Sequence, residues 1–158
     1  MTATMADHVV TIAQDMFTAM IDGEPGLLTD TAGEAVVIAE PVRAWVEIQG
    51  EHPVRTVVAT SRGTADRIAR ALLAMDPADP VDTEDLRDAL GEIANVIGGN
   101  IKGLMADRST LSLPVVALDG TQPTGDLLWE TSLQWHQDHL VISMWELDTN
   151  PDAKEDTQ

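Results

Sequence analysis

Cysteine and tyrosine are both absent from the 158 residues, and the aromatic complement is four tryptophans and one phenylalanine. Without thiols there are no disulfides, thiol nucleophiles, iron–sulfur clusters or thiolate zinc sites, and the core must hold by packing alone. So few rings argue against a stacking platform for bases or sugars. Cations are scarce as well: 9 Lys and Arg face 27 Asp and Glu, for a formal net charge of -18. Such a surface repels phosphodiester backbones and anionic lipid, which excludes nucleic acid and the membrane surface as partners. Long hydrophobic runs are missing too. The first twenty residues are interrupted by Asp7, His8, Gln14 and Asp15, so they read as neither a signal peptide nor a bilayer span, and the expected compartment is the cytoplasm.

Hydrophobic residues make up 44% of the chain, enough for a globular core and too many for a disordered chain. A chain of this length buries about two-thirds of its unfolded surface around one core. One domain is therefore expected over residues 1–147, followed at 148–158 by a polar, acidic tail expected to be disordered.

Met5, Val9, Ile12, Ala13, Met16, Phe17 and Met20 recur at three and four, which predicts an amphipathic first helix. The turn residues Asp22-Gly23-Glu24-Pro25-Gly26 stop it. Three strand-like runs follow at 34–40, 43–50 and 53–60. In the second run Ala44, Val46 and Ile48 share one face, and Arg43, Trp45, Glu47 and Gln49 the other. Thr60 or Ser61 caps a second helix running to about residue 75. Asp76-Pro77-Ala78-Asp79-Pro80 ends it, because proline removes amide donors and biases its predecessor away from helix. Asp82 or Thr83 caps a third helix over about 84–106, with Glu84 and Asp85 well placed against its dipole. Three more strands are predicted at 111–118, 127–136 and 139–147, the last two joined by a turn at Gln137-Asp138. The fold class is α+β: a mixed, mainly antiparallel sheet of about six strands, two long central helices on one face, and an N-terminal helix.

The third helix carries the functional signal. Leu86, Leu90, Ile93, Ile97, Ile101 and Leu104 form its apolar stripe, while Asp88, Glu92, Asn95, Gly99 and Lys102 project from the opposite side. Glu92 and Asn95 are three apart and therefore neighbours. Gly91, Gly98, Gly99 and Gly103 all lie in this helix, although glycine costs about 1 kcal/mol against alanine there. Close approach of another backbone is the usual reason, and a flat patch at Gly98 and Gly99 suits a docking protein. An exposed Glu and Asn are more often simply solvated, so the residues by themselves leave both readings open.

The stretch Gly91-Glu92-Ile93-Ala94-Asn95-Val96-Ile97-Gly98-Gly99-Asn100-Ile101-Lys102 resembles the E-x-x-N signature of the CheX, CheC and FliY phosphatases of bacterial chemotaxis. The order of elements is similar to that family over nearly the whole chain. The resemblance implies a phosphatase acting on the aspartyl phosphate of a CheY-type response-regulator receiver. Asn95 would orient the attacking water, Glu92 would pair with the receiver's active-site lysine, and Asp88, Gly98, Gly99 and Lys102 would contact the partner. A carboxamide is no strong base, but it accepts one hydrogen bond and donates another, which suits it to holding water in line with phosphorus. The receiver would bring its own Mg²⁺, so no cofactor or metal is expected in this chain. CheC-type members resemble a duplication with two E-x-x-N helices, whereas the first helix here offers Gln14-Asp15-Met16-Phe17-Thr18 and no such pair. The single site, and the lack of room for a FliY-type flagellar-switch module, are those of a CheX-like member. CheX-like proteins can dimerise through the sheet, and an exposed Trp45 strand is compatible with a homodimer. The rival reading is a non-catalytic CheX-like module that binds or sequesters a receiver in a signalling complex; a weaker one is an adaptor with no receiver partner.

Other constellations are weak. His136-Gln137-Asp138-His139 has no second cluster to complete a zinc site. Ser61 and Ser109 lack a His and acid constellation. The acid runs at 76–88 and 148–156 lack the spacing of a calcium loop and read as solvated surface.

Overall fold

Thr4 opens the first helix by a reciprocal cap: its hydroxyl accepts from the Asp7 amide at 3.2 Å, and the Asp7 carboxylate accepts from the Thr4 amide at 3.0 Å. The computed structural model describes residues 4–31, 36–105 and 108–147, so the acidic tail expected at 148–158 lies outside the described residues. Helix α1 (Met5–Phe17) buries Val9, Ala13, Met16 and Phe17, as its spacing dictates. It loosens into a π-helical turn at Thr18–Asp22 and stops at Gly23, whose φ of 73° suits glycine. The Asp22 carboxylate accepts the Trp135 indole N–H at 3.0 Å, and Phe17 meets the same ring edge-on at 5.7 Å. This end of α1 is thereby fixed to the sheet.

Strand β1 (Leu28–Asp30) follows in a segment without a strand signal in sequence, and the described part of the run expected as a strand at 34–40, residues 36–40, forms none. Residues 34 and 35 lie outside the described residues. Residues 36–40 are irregular, with Val37 97% exposed. Val36 and Ile38 instead line a cavity over the sheet's outer face. Three residues are too few to show a period of two. Leu28 is held by its own burial and by the Gln14 amide donating to its carbonyl at 3.2 Å.

Strands β2 (Pro41–Gln49) and β3 (Val54–Ser61) form a hairpin in which Val42, Ala44, Val46 and Ile48 are buried and their neighbours are not. Ser61 caps helix α2 (Arg62–Leu72), and Asp82 caps helix α3 (Thr83–Leu104). Helix α2 ends three residues earlier than its pattern suggests, and Ala74 turns with φ 55°. The run expected at 111–118 is split into β4 (Thr110–Leu111) and β5 (Val115–Ala117). Strands β6 (Asp126–Trp135) and β7 (Asp138–Glu146) pair with Trp135 opposite Asp138. Their turn is therefore His136-Gln137, one residue earlier than expected, with His136 at φ 56°.

The seven strands run in the order β1-β6-β7-β3-β2-β4, with β5 also on β2, and every pairing among the described residues is antiparallel. The α+β reading holds, with one strand more than expected and no parallel pair. The core lies between one sheet face and the helices: Val42, Ala44 and Val46 meet Ala65, Ala69, Leu86 and Leu90, while Ile48, Val58 and Ile142 join Val9, Phe17, Ile93 and Ile97. Burying each large aliphatic side chain contributes about 1.5–3 kcal/mol. No helix among the described residues is long and apolar enough to cross a membrane.

Candidate functional site

Leu86, Leu90, Ile93, Ile97 and Ile101 fix the roll of α3 by packing into the core. Asp88, Glu92 and Asn95 are consequently exposed, and Gly99 and Lys102 half-buried. Leu104 is 48% exposed rather than part of the stripe, at the last residue of the helix. The side chains of Glu92 and Asn95 make no hydrogen bond or ion pair with any described residue. Asn100 differs: its amide donates to the Val96 carbonyl at 2.8 Å, one turn back. Asn95 is thus the carboxamide on this helix left free to engage a partner.

Gly98 does not belong to the exposed face. It is buried, and a methyl group on it would overlap Val46 Cγ2. Its smallness serves the contact of α3 with β2, so the docking patch expected at Gly98 and Gly99 reduces to Gly99, whose added methyl would lie 3.8 Å from Leu111. Gly91 is buried too, and it faces the segment between β4 and β5, where a methyl group on it would make an ordinary contact with Pro114 Cγ at 3.4 Å.

That contact makes a cavity of ≈ 470 Å³. One wall is Arg87, Asp88, Glu92 and Asn95 around Gly91; the other is Leu113, Pro114 and Val116. Arg87 Nη1 donates to the Val116 carbonyl at 2.7 Å and ties the two walls together. Nearby, the Thr121 hydroxyl and amide hold the Asp119 carboxyl below the usual carboxylate range, with a smaller contribution from the Arg87 charge. Arg87, Leu113, Pro114 and Val116 were not marked by the sequence pattern. The available signal was Gly91, a mid-helix glycine whose partner only the fold identifies.

The other sequence candidates take structural places. Trp45 is half-buried, opposite Val115 and under the Arg55 guanidinium at 5.3 Å from the ring centroid. Ser61 is the α2 cap. His136 is exposed with its ring against Trp135, and the His139 carbonyl accepts from Thr60. Among the described residues no three His, Cys, Asp or Glu side chains gather as a metal site.

Several solved structures share the fold, three of them as follows. CheX of Vibrio vulnificus is 16% identical, with a TM-score of 0.70 over 92% of this chain and 97% of that one. The CheX of the CheX–CheY–BeF3–Mg²⁺ complex of Borrelia burgdorferi is 13% identical, with a TM-score of 0.66 over 92% and 99%. FliY of Thermotoga maritima is 15% identical, with a TM-score of 0.58 over 98% and 96%. No curated protein matches the sequence. The family model described as chemotaxis phosphatase CheX matches residues 42–124, just over half of the chain and inclusive of α3 and both cavity walls, and the chain therefore belongs to the CheX family.

Proposed function

We propose that this protein accelerates hydrolysis of the aspartyl phosphate on a CheY-type receiver domain, acting in the cytoplasm where such receivers work. The observation that carries this reading is the exposed Asn95 carboxamide, unpartnered on a helix whose roll is fixed by five buried residues. On docking, Asn95 enters the receiver's site. Its carbonyl oxygen accepts from the attacking water, and its NH₂ donates to an acceptor beside the phosphoryl group, which places the water in line with phosphorus. Glu92, one turn earlier on the same face, pairs with the receiver's active-site lysine and sets the register. Asp88, Gly99 and Lys102 flank these two as partner contacts.

The receiver supplies Mg²⁺ and its own lysine, which neutralise charge developing on the phosphoryl oxygens. The Borrelia burgdorferi complex, in which a CheX is seen with CheY, BeF3 and Mg²⁺, supports this division of labour. The test is phosphate release from a phosphorylated CheY-type receiver with and without the protein. Faster release at substoichiometric protein is expected. Binding without acceleration would make the chain a sequestering module instead.

A further inference from the structure

We propose that Leu113 is the apolar anchor that seats the phosphorylated receiver over Asn95, and that a bulge in the sheet edge exists to present it. This rests on the reading of the α3 face as a receiver-docking surface and names a contact which that reading lacks.

Leu111 pairs with Ile48, and Val115 with Trp45. Four residues on the edge chain therefore advance over three on β2, which makes a bulge at Ser112-Leu113-Pro114. The bulge is pinned. The Ser112 amide donates to the Glu47 carbonyl at 2.9 Å, and the Glu47 amide donates to the Ser112 hydroxyl at 2.8 Å. Pro114, which has no amide to donate, takes the inward place against Gly91. Leu113 has nowhere to turn but outward, and it is 86% exposed.

One exposed leucine is ordinary. Leu113 differs in being held by a fixed backbone on the rim of the cavity that contains Glu92 and Asn95. An apolar side chain on a pinned backbone needs no ordering of the main chain on binding, and it excludes water from the polar contacts beside it. The occupant is a receiver presenting an apolar patch next to its phosphorylated aspartate. A chain of net charge -18 gains no long-range attraction toward an anionic phosphoryl group, so short-range contacts matter more, and an apolar anchor is one that salt does not screen.

The test is steady-state dephosphorylation of a phosphorylated CheY-type receiver by the full chain, with binding to the beryllofluoride- and Mg²⁺-loaded receiver measured in parallel. Leu113→Ser is expected to raise KM and Kd about tenfold, equally at low and high salt, with kcat unchanged. Leu113→Met is expected to restore both, and Leu128→Ser, on an exposed leucine of β6 away from the cavity, to change neither. Wild-type activity with an unaltered KM in Leu113→Ser overturns this inference alone, whereas a wild type that neither binds nor acts on the receiver removes the phosphatase reading and this inference together. Dissociation of a homodimer by Leu113→Ser, with KM unchanged, would assign the anchor to a second copy of this chain and also overturn the proposal.

Discussion

Gly98 of α3 and Val46 of β2 meet so closely that even a methyl group on the glycine would overlap the valine side chain. The pair sets the depth at which α3 sits on the sheet, and so the height at which Asn95 stands above it.

Gly98→Ala is expected to destabilise the fold despite alanine's better helix propensity. Overpacking costs about 1–3 kcal/mol, against a propensity gain of about 1 kcal/mol. Gly103→Ala, where an added methyl meets nothing within 4 Å, is expected to stabilise by about 0.5–1 kcal/mol. Urea denaturation midpoints of the two variants check this; midpoints moving in the same direction would contradict the assigned roles.

Thr56 is fully buried on β3, opposite Val46, and its hydroxyl has no hydrogen-bond partner among the described residues. Thr56→Val keeps the shape and removes the unsatisfied group, so it is expected to raise stability by about 1 kcal/mol. A loss of stability on the same denaturation assay would show that the hydroxyl finds a partner in solution.

The Arg55 guanidinium, 2.7 Å from the Glu47 carboxylate, holds that carboxyl below the usual glutamate range, with Gln49 adding a weaker hydrogen bond. A depressed folded-state value stabilises the fold at pH above the unfolded value of about 4.3. The contribution disappears as the pH falls through the lower folded value. Glu47→Gln is therefore expected to cost about 1 kcal/mol at neutral pH and nearly nothing at strongly acid pH. A difference that does not change with pH would remove the ion pair as its cause.

Helical parts of the fold were legible in sequence because period and caps coincide. Ser61 and Asp82 cap where expected, and five of six residues in the α3 stripe are buried. The face bearing Asp88, Glu92 and Asn95 follows from that stripe alone. Short edge strands were not legible. Leu28–Asp30 has too few residues to alternate, while residues 36–40 have strand-like composition and lie outside the sheet. Gly98 was misplaced because a glycine's position on a helical wheel does not reveal that β2 approaches it. Leu113 and Pro114 were missed because the bulge that offsets them depends on the register with β2.

Glu92→Lys is expected to weaken receiver binding at least about tenfold, because it sets two ammonium groups face to face. The loss should be greatest at low ionic strength, unlike that of Leu113→Ser. Titrating the beryllofluoride-loaded receiver at two salt concentrations checks it, and equal affinity for wild type and Glu92→Lys would remove Glu92 from the interface.

The central claim concerns Asn95 and water. Single-turnover dephosphorylation of a phosphorylated CheY-type receiver, wild type against Asn95→Ala, tests it most directly. The expected result is a rate lowered about 100-fold or more, with affinity for the beryllofluoride-loaded receiver kept within a few-fold. Equal rates of phosphate release by wild type and Asn95→Ala would contradict it.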